Sequence, residues 1–333
     1  MKKIIGILCV IFLLASCYRE LDFSDEVNNT VVVSSFVAND SLIKVNILKA
    51  IPVDEISQKV YVTDASVKLY EDNVFVENLA LADSTYELNS TIFTTYHYQT
   101  KNTKAKVGKT YQVEITTADG KLITSETSIP QPVEIISIDT TFTYAVNQED
   151  HIREANEVFK VRFKDPSGNN YYRITMTTRY GTTNGNKFVN VWTRSFNSFY
   201  PLDTIFSYFS EDDNNNFSST TTNNFLIFND ESINGQEFEL TLKRAYTNVT
   251  YYGSRKGEFT QYIIELQSLT KEGYDYLRSI DLQTQSSGII EPEPVMAYSN
   301  IENGVGIFAG YSASQKTITV GEYPIDGFTY IYK

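Results

Sequence analysis

The chain has 333 residues and a formal charge of −13, with 41 Asp and Glu against 28 Lys and Arg. That balance excludes the basic clusters that nucleic acid or an anionic lipid surface would need. Two cysteines and two histidines exclude a disulfide framework and make a zinc site improbable. With 24 Tyr and 20 Phe beside abundant Val, Ile and Thr, the composition favours strands, so an all-β protein is expected.

Lys2 and Lys3 precede an apolar run from Ile4 to Ala15. The run is shorter than the ~20 residues a spanning helix requires, and its charge layout is that of a secretory signal. Leu14-Ala15-Ser16-Cys17 matches the bacterial lipobox. Residues 1–16 are therefore expected to be a lipoprotein signal peptide, with Cys17 the lipid attachment site. Each buried acyl methylene contributes ~0.8 kcal/mol, and more than one chain gives stable anchoring. Residues 17–29 form an acidic tether, either a solvated linker or a signal for surface export.

From Thr30 to Pro130 the chain reads as a string of short strands. Ile43, Val45 and Ile47 alternate with polar residues in "SLIKVNILKA", as do Tyr111, Val113 and Ile115 in "KTYQVEITT". Asp119-Gly120 predicts a tight hairpin. About seven strands over residues 30–130 suit an immunoglobulin-like or transthyretin-like sandwich. Pro130 and Pro132 predict a stiff boundary.

Residues 133–333 predict a larger antiparallel β domain, barrel or sandwich, since strand period alone does not set closure. Phe159, Val161 and Phe163 alternate inward, and "YYRITMT" and "EFELTLKR" behave likewise. Asn184-Gly185 and Asn234-Gly235 predict two further hairpins. "DDNNNFSSTTTNN" reads as an exposed loop. One short helix is expected in "LTKEGYDYLRSIDLQTQ", with Tyr276, Leu277 and Ile280 on one face and Glu272 in the first turn.

Catalytic signals are thin. His97 and His151 have no ligand-spaced partners. "GYSAS" at Gly310–Ser314 begins like a nucleophile elbow but ends in serine, and the following "QKTITV" reads as a strand. The stretch from Asp212 places Phe217 where a calcium loop needs glycine. Glu291 and Glu293 lie in a Pro-locked loop, the setting of a surface turn more than of a carboxylate pair. No catalytic residue, metal site or cofactor is expected, and the protein is read as a non-enzyme. Trp192, Tyr171, Tyr172 and Tyr180 are candidate ligand-stacking residues. Cross-strand aromatic ladders give the same composition without a ligand.

Several stretches together resemble the Bacteroidetes-type lipoproteins grouped as domain of unknown function forty-two forty-nine. They are the lipobox and its tether, "TVVVSSFV", "DASVKLYED", "VGKTYQVEITTADGKLITSETSIPQPVEIISID", "FNDESINGQEFELTL", "LQSLTKEGYDYLRSI" and "EPEPVMAYSNIENGVGIFAGYSAS". The resemblance implies a cell-envelope lipoprotein often encoded beside a TonB-dependent receptor, and the expected location is the outer membrane, on the periplasmic or the cell-surface side with the surface slightly favoured. It defines no catalytic residue. Asp-Ser/Thr sites at Ser41, Ser84, Thr140 and Thr204 resemble the O-glycosylation pattern of exported proteins of that type. The expected function is that of a non-catalytic accessory or ligand-capturing partner of such a receptor, taking a glycan or small nutrient. The alternative is a self-standing adhesin for glycans or host surfaces.

Overall fold

The computed structural model describes residues 29–51, 59–88, 91–146, 153–184, 187–195, 200–201, 203–206, 223–246, 258–286, 296–320 and 330–331. Residues 1–28, which hold the expected signal peptide, Cys17 and all but the last residue of the expected tether, lie outside these residues, as do His151, Gly185, the loop around Asp212 and the Glu291–Glu293 pair.

The strands of the first half are β1 (Val31–Ala38), β2 (Leu42–Lys49), β3 (Val60–Tyr61), β4 (Ser66–Glu71) and β5 (Val74–Asn78). They continue with β6 (Ala80–Leu88), β7 (Thr91–Lys104), β8 (Thr110–Thr116) and β9 (Leu122–Ser128). The second half begins with β10 (Ile135–Val146), β11 (Arg153–Lys164), β12 (Tyr171–Asn184), β13 (Lys187–Ser195) and β14 (Tyr200–Pro201). After a 3₁₀ turn at Thr204–Phe206 come β15 (Ile227–Asn229), β16 (Glu237–Tyr246) and β17 (Glu258–Leu269). The helix α1 (Lys271–Ser286) follows, and then β18 (Val305–Val320) and β19 (Tyr330–Ile331).

One ten-stranded sheet runs the length of the molecule in the order β13-β12-β17-β18-β1-β2-β7-β6, with β15 and β3 attached to β12 and β2. A four-stranded sheet (β5-β4-β8-β9) and a five-stranded sheet (β14-β16-β11-β10-β19) complete the architecture. Among the described residues no sheet closes on itself, and the second half is sandwich-like, not a barrel. Period-2 alternation builds the two larger cores, and a small third cluster of Ile227, Leu269, Tyr274 and Leu277 lies under the helix. In the first, Val33, Ile43, Val45 and Ile47 of the long sheet pack with Leu69, Tyr111, Val113 and Ile115 of the four-stranded one. In the second, Tyr172, Ile174, Ile264 and Leu266 pack with Phe159, Val161, Phe163 and Leu240. Each such side chain contributes ~1.5–3 kcal/mol on full burial.

The two cores divide in sequence around Pro130–Pro132, with one exception: Ile301 and Phe308 belong to the first. The reason is β18, which pairs antiparallel with β17 on one side and parallel with β1 on the other. Gly306 makes that parallel join possible. Its φ is +116°, and a Cβ there would lie 2.0 Å from the Val33 carbonyl oxygen.

The Asp119-Gly120 turn joins β8 to β9 as expected, and β12 pairs with β13 down to Asn184 opposite Lys187. Asn234-Gly235 is a turn but not a hairpin. Its flanking strands go to different sheets, β15 to β12 and β16 to β11, so the turn carries the chain between layers. The helix forms where expected, rotated from the expected face. Tyr274 and Leu277 are its buried apolar residues, whereas Tyr276 and Ile280 are half-buried. Thr270 caps it through Oγ1, which accepts from the Gly273 amide at 3.4 Å. A Cβ on Gly273 would come 3.1 Å from the Ala309 Cβ, so glycine lets the helix lie close on the outer face of the long sheet.

Candidate functional site

Three surface features are candidates, and each is a consequence of how the sheets end or meet. The first is an arm. β6 and β7 pair from Ala80↔Gln99 to Leu88↔Thr91. β2 accompanies β7 only at Tyr98, Gln99 and Lys104, so the outer part of the hairpin has two strands and no third. Two-stranded hairpins are marginal alone. Here the rings of Tyr86 and Phe93 stack across the strands at 5.4 Å and 17°. Leu81, Ile92 and Tyr96 occupy the opposite face by register, and Ile92 is 72% exposed. At the base, Glu77 of β5 ties the arm down, its carboxylate accepting from the amides of Lys101 (2.9 Å) and Thr103 (3.1 Å). Those donors hold the carboxyl below its ordinary range against the opposing effect of burial. Val74 and Phe75 of β5 add further exposed apolar surface.

The second is a cleft of about 510 Å³ lined by Asn39, Asp40, Glu71 and Lys104 among others. Several of its polar groups already serve one another. Lys104 bonds Asp40 at 3.2 Å, and Glu71 accepts from the Tyr111 hydroxyl at 2.8 Å. Burial, then the bond to Glu71, push the Tyr111 pKa up to about 12.

The third lies where the two sandwiches meet. The segment from Ser128 to Ile135 crosses the long sheet over β18, whose residues facing it are small. Gly310 admits the Ser128 backbone. The Ser314 hydroxyl donates to the Val133 carbonyl at 2.6 Å and accepts from the Ile135 amide at 3.1 Å. The stretch that began like a nucleophile elbow is thus a strand that seats the linker. Beside it, a cleft of about 320 Å³ is lined by Pro130, Gln131, Pro166, Ser167, Asn169, Asn170, Ser268 and the strand ends at Tyr171 and Leu269. Below its rim, Asp165 fixes the β11–β12 turn: it accepts from the Tyr172 hydroxyl and, at 2.8 Å, from the Gly235 amide. Burial nevertheless holds this carboxyl above its ordinary range.

The four candidate stacking residues do not share a surface. Tyr172 is fully buried in the second core. Tyr171 faces the opposite side of the sheet, its ring 5.1 Å from that of Tyr274. Tyr180 and Trp192 are cross-strand partners in β12 and β13. Of the candidate glycosylation residues, Ser41 and Ser84 are exposed and Thr204 sits in the 3₁₀ turn. Thr140 is buried, facing inward opposite Phe159, so the folded protein does not present it. His97 is buried beside Gln99, with Nε2 3.3 Å from Oε1. Among the described residues no group of three or more His, Cys, Asp and Glu could hold a metal ion.

Strand alternation alone does not reveal the arm, though the sequence carries a signal of it. "TIFTTYHYQ" carries Ile92, Phe93, Tyr96 and Tyr98 on both parities, which a strand with one solvated face does not do.

No curated protein matches the chain. The family described as Domain of unknown function (DUF4249) matches residues 19–317, nearly the whole of the described fold, and the chain belongs to it.

Proposed function

We propose that this protein is a non-catalytic lipoprotein, anchored through an acylated Cys17, that acts as an accessory or ligand-capturing partner of a TonB-dependent outer-membrane receptor. The arm carries the reading. Exposed apolar side chains on both faces of a two-stranded projection are costly in water and mark a contact surface. The outer edge of β6 ends the long sheet and offers unpaired backbone groups to a partner strand. A lipid tether confines the arm to the membrane plane and raises its effective concentration near a membrane-embedded partner.

The test is a mild-detergent pull-down of the native protein, read by mass spectrometry. The wild type is expected to bring down a stoichiometric outer-membrane receptor. Cys17→Ala reduces that recovery through loss of the tether, and the Tyr86→Ser/Phe93→Ser double variant reduces it through loss of the contact. Recovery of folded wild-type protein alone would sink the reading.

A further inference from the structure

The cleft between the sandwiches has a composition unlike the rest of the surface. In a chain of net charge −13, no charged residue lines it. Its walls are two prolines, Pro130 from the linker and Pro166 from the β11–β12 turn, with the amide side chains of Gln131 and Asn169 from the same two segments. Asn170 is already committed, donating through Nδ2 to the Pro166 carbonyl at 2.9 Å and to Asp230 at 3.0 Å. It therefore frames the site. Gln131 and Asn169 are not tied by side-chain bonds among the described residues, so both keep donor and acceptor capacity.

A second observation comes from the lining residue Ser268. It is only 6% exposed, and its hydroxyl is closed to solvent and has no hydrogen-bond partner among the described residues. Its cross-strand neighbour Ser312 is fully buried and likewise unpartnered. Native folds pair nearly all buried hydroxyls, so such a pair needs an explanation.

We infer that this cleft binds an uncharged, hydroxyl-rich ligand of one or two sugar units through Gln131 and Asn169, and that a ligand hydroxyl pairs with Ser268 once that side chain rotates about χ1 into the cleft. Amides and hydroxyls that both donate and accept match vicinal hydroxyl groups, the prolines give apolar faces for ring C–H groups, and the absence of charge disfavours acidic sugars. The volume sits at the low end of the ~300–1,000 Å³ usual for ligand sites, which suits a mono- or disaccharide. The inference deepens the ligand-capturing part of the function proposed above and rests on it, but not on the receptor contact.

The experiment is saturation-transfer NMR on the full-length protein in a detergent without a sugar headgroup. The probes are the methyl glycosides of glucose, galactose, mannose and N-acetylglucosamine, with glucuronate as the charged control. At least one neutral glycoside is expected to receive saturation. Its affinity should fall tenfold or more in Gln131→Ala/Asn169→Ala and in Ser268→Ala. Ser167→Trp, a change on an exposed turn at the rim, should block the cleft without disturbing either core. Binding that is absent for every neutral glycoside, equal for glucuronate, or unchanged in all the variants overturns the inference. Receptor recovery in the pull-down is a separate readout, so failure of one reading does not masquerade as failure of the other.

Discussion

Gly310 of β18 lies directly beneath Ser128: a Cβ on Gly310 would sit 2.0 Å from the Ser128 carbonyl oxygen and 2.8 Å from the Ile129 side chain. The obstacle is backbone, which cannot rotate aside as a flexible side chain would. Gly310→Ala should therefore lift the linker off the sheet and destabilise the protein by ~3 kcal/mol, at the upper end of what overpacking costs. Ser312→Ala, two residues along the same stripe, deletes a hydroxyl that bonds nothing among the described residues. It should leave stability within about 0.5 kcal/mol or raise it. Urea denaturation of the two variants side by side measures the contrast, and equal effects would show that the linker is not seated as described.

Asp165 gives a pH dependence of definite sign. Burial raises its pKa in the folded protein, in spite of the bonds from Tyr172 and Gly235. The folded state therefore binds the proton more tightly than the unfolded chain, whose Asp titrates near ~3.9. The contribution is fully present below that value and is lost as pH rises through the higher folded value. Asp165→Asn removes the titration. The wild type should be more stable relative to this variant at pH 4 than at pH 7, compared by urea midpoints. A wild-type advantage that grows with pH would refute the assignment.

Tyr111 supplies the alkaline counterpart. Its buried hydroxyl donates to Glu71 and accepts from the Lys106 amide at 3.0 Å, and its pKa is pushed up to about 12. Tyr111→Phe should cost ~1.5–3 kcal/mol at neutral pH, the range for a hydrogen bond to a charged group. Because an unfolded tyrosine ionises near ~10, the wild type's advantage over Phe is whole below that pH and shrinks as pH rises through about 12. Thermal melts of both proteins between pH 8 and 12 follow the difference, which should narrow.

Strand faces were legible because a strand buried on one side obliges its residues to alternate. Ile43, Val45, Ile47, Tyr111, Val113, Ile115, Phe159, Val161 and Phe163 all face a core as the alternation demands. Alternation carries no information about which strand pairs with which. Asn234-Gly235 looks like a hairpin because its turn chemistry is local, whereas the separation of β15 and β16 into different sheets is decided by distant partners. The helix face is hidden in the sequence for a related reason. Gly273 and the buried Asp281 form part of the inward stripe, and neither looks inward by hydrophobicity. Asp281 accepts from the Asn224 amide at 3.1 Å and from its side chain at 2.9 Å, a partner supplied by a loop far away in sequence. The cleft between the sandwiches was hidden altogether, since it exists only once the linker, the β11–β12 turn and the end of β17 are brought together.

The return of β18 determines how the protein can be divided. Phe308 is fully buried in the first core and Ile301 nearly so. The segment carrying them is woven into that sandwich by the Ser125 hydroxyl, which donates to the Asn300 carbonyl at 2.8 Å, and by Thr127 Oγ1, which accepts from the Gly310 amide at 2.7 Å. Without β18, the edge of β1 from Val32 to Ala38 loses its parallel partner. A Val-rich edge exposed in that way invites aggregation. A fragment of residues 29–132 should therefore be insoluble, or unfolded by circular dichroism, despite holding every other strand of its sandwich. Fusing residues 296–320 to it through a flexible linker should restore solubility and a cooperative melt. A cooperative melt from the short fragment alone would mean that β18 adds to a core already complete. Failure of the fused form would mean that β17, on the far side of β18, is also required to hold it in register.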